Sequence, residues 1–296
     1  MAVFKHAYKG YEGSLTPAWS RFLILPRYAF EEMRRSRFYS IFFLVTMLAP
    51  LLFALVIYVQ HNLSALKMLQ VRQLISIDAR FFLNLLGWQS MMAFFLAAFV
   101  GPGQISPDLA NNALPLYLAR PLTRAEYVLG KMSVLLILTS VMTWIPGLLL
   151  FILQGSLEGN GWFGQNLRIA GAIFLGAWIW ILILSLLALA LSAWVKWKPL
   201  AGGLLFGVFF VAAGFGGAIN AILRTRWGNL LNISHLIGAV WTSLFEQPMH
   251  RGSGAVFFRV HNQEIPIWCC WVALLAISGF CLYLLSRKIR GAEVVR

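Results

Sequence analysis

Six long runs of almost unbroken apolar residues divide the chain, at 39–60, 81–102, 132–153, 169–195, 200–223 and 266–286. Each reaches about 20 residues, the length a helix needs to cross a hydrocarbon core of about 30 Å. No Asp, Glu, Lys, Arg or His interrupts any of them. The pattern predicts an all-α integral membrane protein with six spans filling a transmembrane domain over 39–286. A polar segment at 1–38 precedes it and a basic tail at 287–296 follows. Only "KWK" and Pro199 separate the fourth run from the fifth, so those two spans must form an antiparallel hairpin.

Composition agrees. The chain is 60% hydrophobic and 11% charged, against about a quarter charged in soluble domains. The N-terminus, "MAVFKHAYKGYEG", lacks the short apolar core and small-residue cleavage site of a signal peptide. A net charge of +14 would suit nucleic acid, but the charges sit at span ends, so no nucleic-acid partner is expected. Of the 24 Lys and Arg, sixteen fall on the N-terminus, the segment between spans 2 and 3, the KWK loop and the tail; the remaining eight fall on the alternate segments. The positive-inside rule then puts both termini in the cytoplasm, and the expected location is a plasma membrane, as in a bacterial inner membrane.

Local features refine the layout. "PAWSRFLILPRYAFEEMRRSRFY" mixes aromatic, aliphatic and Arg residues, as suits an interfacial helix in the headgroup plane with its arginines toward anionic lipid. In span 5, Gly203 and Gly207 form GxxxG, and Gly214 with Ala218 repeats the spacing. Small residues let helix backbones approach; the face packs either inside the bundle or on a partner. Residues 224–265 are long for a connection, and "NLLNISHLIGAVWTSLFEQP" reads as one or two short helices resting on or dipping into the outer surface.

Several kinds of chemistry find no support. Intramembrane ion relays and metalloproteases need ionisable residues inside the spans. The five histidines show no metal-ligand spacing, and "EEMRR" at 31–35 lies outside span 1. Cys269, Cys270 and Cys281 form neither a CxxC pair nor an even-numbered framework. "GK" at 130–131 lacks the rest of a phosphate-binding loop: Ala125 stands at the first glycine position and Met132 follows the lysine. Neither a metal nor a cofactor is expected in this chain; any ATP and Mg would sit on another subunit.

Between spans 2 and 3 lies a polar, proline-punctuated island, "ISPDLANNALPLYLARPLTRAEYVLGKM". Ser106-Pro107-Asp108 reads as a helix start: a capping serine, proline at the first position and an acid in the first turn. The helix is expected over 105–118, with Leu109, Asn112 and Leu116 on one side at helical spacing. Pro121 then turns the chain. Thr123-x-x-Glu126 is a capping box opening span 3. The island is thus expected to present a rigid knob to the cytoplasm.

This island resembles the first cytoplasmic loop of ABC-2 type permeases, the membrane subunits of a class of ATP-binding-cassette exporters. The likeness rests on Asp108, on Pro121-Leu122-Thr123-Arg124 and on Tyr127-Val128-Leu129-Gly130-Lys131. It extends to the interfacial helix ending "MRRSRFY", the six spans and the outer helices between spans 5 and 6. Where many relatives have a glutamate and a glycine, this chain reads "ANNA". The resemblance implies that two permeases pair, as in a homodimer, and that each island helix docks as a coupling helix in a groove of a cytoplasmic ABC ATPase. Asp108, Leu109, Asn112, Leu116 and Arg124 are the expected coupling residues. ATP binding would close the ATPases and drive the spans between inward and outward states. The other readings are a non-transporting membrane scaffold and an uncoupled secondary facilitator.

Overall fold

The computed structural model describes residues 18–62, 76–113, 123–159, 161–246 and 265–289, without the side chains of Ala18, Trp19, Arg21 and Glu32. All regular structure among these residues is helical. A 3-10 turn, Ala18–Leu23, leads into α1 (Ile24–Arg35). Its last turn carries Arg34 and Arg35, where cations oppose the negative end of the helix dipole. Ser36, in extended conformation, separates α1 from α2 (Arg37–Asn62), the first span.

Span 2 is α3 (Ala79–Val100), continued through the helical Gly101 by α4 (Pro102–Ala110). Asp78 caps it by accepting from the Phe81 N–H at 3.1 Å. Span 3 is α5 (Arg124–Met142) followed by α6 (Trp144–Glu158). The kink falls at Thr143, with φ −108 and ψ −85. Pro146, three residues on, has no N–H for the Met142 carbonyl, which accounts for the broken turn. Span 4, α7 (Trp162–Trp194), is 33 residues long, about 50 Å at 1.5 Å per residue, so its ends project beyond a hydrocarbon core. Span 5 is α8 (Lys198–Leu223) and span 6 is α10 (Ile267–Lys288). Six helices or helix pairs among the described residues are therefore long and apolar enough to cross a membrane.

Spans 2 and 4 are the most enclosed; spans 1, 5 and 6 turn broad apolar faces outward. Large aromatics knit the centre. Trp180 of span 4 donates to the Ser90 carbonyl of span 2 at 3.2 Å, and Phe94 meets Phe209 of span 5 edge to face at 4.9 Å.

The described part of the connection after span 5 holds two short helical elements. Residues Trp227–Leu231 form a 3-10 turn that folds back along α8. Gly216 and Gly228 cross so closely that a Cβ on either would strike the other's carbonyl oxygen. Asn220 locks the crossing, accepting from the Gly228 N–H at 2.8 Å and donating to Asn229 Oδ1 at 2.7 Å. Then α9 (Ile233–Leu244), capped by Asn232, runs among spans 4, 5 and 6. A helix on the surface would keep one polar face outside. Instead every residue from His235 to Thr242 is buried, and Trp241 donates to the Gly176 carbonyl at 2.9 Å. Of the two expectations, a helix resting on the surface or one dipping into it, the burial favours the second.

Candidate functional site

The site is the junction that fixes the proline-interrupted end of span 2. Gly101 is helical, and its N–H reaches the Ala97 carbonyl at 2.8 Å, so the helix does not stop there. Pro102 follows without an N–H, and the Ala98 carbonyl loses its donor. Two small residues let neighbours close on this weak point. A Cβ on Gly101 would lie 2.7 Å from the Ala188 Cβ of span 4, and one on Gly202 of span 5 would lie 2.8 Å from the Ala98 oxygen.

Ser192 of span 4 completes the turn. Its hydroxyl accepts from the N–H groups of Ile105 at 3.0 Å and Ser106 at 2.9 Å, and donates to the Pro102 carbonyl at 2.9 Å. It is fully buried. The proposed cap at Ser106 is corrected accordingly. Because the helix runs through from Gly101, Ser106 lies inside α4, and its hydroxyl donates to the Val195 carbonyl at the end of span 4. A side chain already inside a helix has no free first-turn N–H to cap.

The extent of this helix is also corrected. It occupies Pro102–Ala110 rather than 105–118. Asn112 takes φ 51, and the Ala113 N–H closes back on the Asp108 carbonyl at 2.8 Å. Such a left-handed residue ends a helix, and asparagine tolerates it. Leu109 and Asn112 therefore do not share a helical face. Leu116, in 114–122, lies outside the described residues.

Asp108 faces inward. Its Oδ2 accepts from the Tyr127 hydroxyl at 2.7 Å and lies 2.8 Å from the Lys131 Nζ. The Asp108 and Lys131 side chains are each 14% exposed. Tyr127 and Lys131 stand one turn apart on α5, so both reach the same carboxylate. Gly130 lies on another side of that turn, against the N-terminal helical segment. A Cβ there would lie 2.6 Å from Leu25 Cδ1 and 2.9 Å from the Phe22 carbonyl oxygen. One turn of span 3 thus holds α4 with two side chains and admits the N-terminal helix through a missing one.

Span 3 starts as its sequence signal requires. Thr123 Oγ1 accepts from the Glu126 N–H at 3.2 Å, and the Thr123 N–H donates to Glu126 Oε2 at 2.7 Å. Arg124 is the first helical residue and is exposed. Leu109 is partly buried against the core; Ala110, Asn111 and Asn112 form an exposed tip. Among the described residues, a Cβ on Gly203, Gly207 or Gly214 would meet nothing within 4 Å, whereas Gly202 and Gly216 make the close crossings of span 5.

The sequence reading missed Ser192 and Gly202. Their signal was indirect: Pro102 and Pro107 both withhold an N–H within six residues, so some outside polar group had to complete that turn. The junction offers linkage rather than catalysis. Hydrogen bonds, an ion pair and backbone contact join α4 to spans 3, 4 and 5.

A family model described as ABC-2 family transporter protein matches residues 29–236. The match begins within α1 and ends within α9, enclosing the whole junction. No curated protein matches the chain. With most of its length matched and six helices fit to cross a membrane, the chain belongs to the ABC-2 transporter family as a multi-pass membrane component of an ABC transporter.

Proposed function

We propose that this chain is the permease subunit of an ATP-driven exporter, moved by ATP hydrolysed on a separate cytoplasmic ABC ATPase. The observation that carries this is the junction itself: a short helix with an exposed tip, anchored on three spans by Ser192, Gly202 and the Asp108–Lys131 pair. The tip at Ala110–Asn112, with Arg124 nearby in the chain and Leu116 beyond it, meets the ATPase. Asp108 and Leu109 hold the tip in place. The chain lacks a phosphate-binding loop, so energy enters only through this contact. ATPase closure shifts the spans because the closed ATPase dimer favours one of their states over the other.

The Lys and Arg bias puts the junction and both termini in the cytoplasm. A second copy completes the transporter, and Gly203, Gly207 and Gly214, open on span 5, suit that contact. The test is affinity purification of the tagged chain from its native membrane, followed by identification of bound subunits and assay of ATP hydrolysis. An ABC ATPase that co-purifies, and is lost with Asn111→Trp, supports the reading. A folded chain without any ATPase supports a scaffold. Transport without ATP in vesicles supports a facilitator.

A further inference from the structure

Where span 4 ends beside the end of span 6, cations and indoles gather. Trp194, Lys196 and Trp197 follow one another along the exit from span 4, and Arg287 and Lys288 close span 6; all five are exposed. The Trp194 indole N–H donates to the Leu284 carbonyl of span 6 at 3.3 Å. Lys288 Nζ rests 5.2 Å from the centre of the same ring, within cation–π range. We infer that this corner binds the headgroup of an anionic phospholipid, with Lys196 and Lys288 as the ligands of its phosphate.

Charge is the first part of the argument. Each carboxylate among the described side chains is engaged elsewhere. Glu31 pairs with Arg35, Asp108 with Lys131, Glu158 with His61 and Glu246 with Arg168, while Asp78 and Glu126 cap helices. The positive charge of this corner is therefore offered outward. An ammonium has three donors and no acceptor, so a ring face beneath it leaves those donors for an anion. Lys196 lies two residues from Trp194, which keeps their Cα atoms within about 7 Å.

The apolar surroundings select a lipid as the bearer of that anion. Phe280, Leu282 and Tyr283 lie exposed on span 6 within two turns of Lys288, and Leu200 and Leu204 lie exposed on span 5. Acyl chains fit such faces, and indoles favour the boundary between hydrocarbon and headgroups. Basic groups beside a span end attract anionic headgroups. Lys198 has a different setting: a Cβ on Gly103 of α4 would lie 3.3 Å from its Nζ. It belongs to the junction and serves as a control.

Photoreactive lipids test the site on the full chain in phosphatidylcholine nanodiscs. One probe is phosphatidylglycerol and the other phosphatidylcholine, with the same photoreactive acyl chain. Arg290, Glu293 and Arg296 are replaced by glutamine throughout, so that the tail's charges play no part. Labelling is mapped by mass spectrometry and normalised to the exposed face of span 1. The anionic probe should label 280–283 in excess of the zwitterionic one. Lys196→Gln and Lys288→Gln should each cut that excess about fivefold, the factor that corresponds to about 1 kcal/mol per cation at a membrane surface. Trp194→Leu should lower it as well, and Lys198→Gln should leave most of it. Melting curves check that these exposed substitutions keep the fold. Equal labelling by the two probes overturns the inference, as does an excess that survives both Lys196→Gln and Lys288→Gln. Equal losses for all three lysines overturn it too, because diffuse attraction then suffices. No readout depends on an ATPase, so the lipid site and the exporter reading stand or fall separately.

Discussion

Lys131 and Asp108 meet at 2.8 Å in a setting where each side chain is only 14% exposed. This pair joins span 3 to the far end of span 2, and Tyr127 adds a hydroxyl to the same oxygen. A mostly buried pair loses about 3–5 kcal/mol when one partner is removed, because the other charge is left uncompensated. Lys131→Met should therefore lower the thermal stability of the purified protein. Asp108→Asn should cost less than Asp108→Ala, since its amide oxygen still accepts from Tyr127. Melting curves in detergent give the ranking. Equal losses for Asn and Ala would mean that the tyrosine bond contributes nothing.

Gly130 lies under the N-terminal helical segment, and the atoms over it include a main-chain oxygen. Leu25 can rotate away from an added methyl; the Phe22 carbonyl, 2.9 Å from it, cannot without moving the backbone. Gly130→Ala should cost about 1–3 kcal/mol, as overpacking usually does. It should also loosen α1 from span 3. Limited proteolysis near Arg34 reports this, with faster cleavage in the variant than in the parent. Unchanged cleavage and melting would show that the segment can shift at no cost.

Ser192 supplies one hydroxyl to two N–H groups and one carbonyl. Ser192→Ala removes all three bonds from a fully buried site. Leaving buried polar groups unpaired costs about 1–3 kcal/mol each, tempered by relaxation. The variant should melt earlier and exchange amide hydrogen faster at Ile105 and Ser106 than elsewhere in span 2. Protection there equal to the parent's would mean that α4 holds its turn unaided.

The spans were legible because apolar length suffices to announce a membrane helix, and the Thr123–Glu126 box was legible because capping is local. Ser106 was misread for the same reason: Ser-Pro-Asp is a good local start, but the helix arriving through Gly101 had not ended. Asp108 looked like a free acid at a helix start, because its partners, Tyr127 and Lys131, come near only after the chain turns. Ser192 looked like one more small residue in an apolar run. Its role depends on which helix lies beside it, and no spacing along one strand of sequence encodes that. The helix α9 read as amphipathic, yet against spans 4, 5 and 6 it is buried from His235 to Thr242.

The glycines of span 5 divide into two kinds, and that division can be tested. Gly202 is pressed against the Ala98 carbonyl, so Gly202→Ala should destabilise by about 1–3 kcal/mol. Gly203, Gly207 and Gly214 face open space, and alanine favours a helix interior over glycine by about 1 kcal/mol. Their alanine variants should leave the melting temperature of the isolated chain unchanged or slightly raised. Leucine should be tolerated within one chain as well, since the Cβ it hangs from meets no described residue within 4 Å. Its effect should appear instead in assembly: if this face meets a second copy, Gly207→Leu forces the two backbones apart and lowers the dimer fraction. Light scattering on a sizing column, run beside the melting curves, separates the two. A stable Gly207→Leu chain with reduced assembly mass places the second copy on span 5. A stable chain whose mass does not change assigns that face to lipid, and the contact between copies must then be sought on the exposed faces of spans 1 and 6.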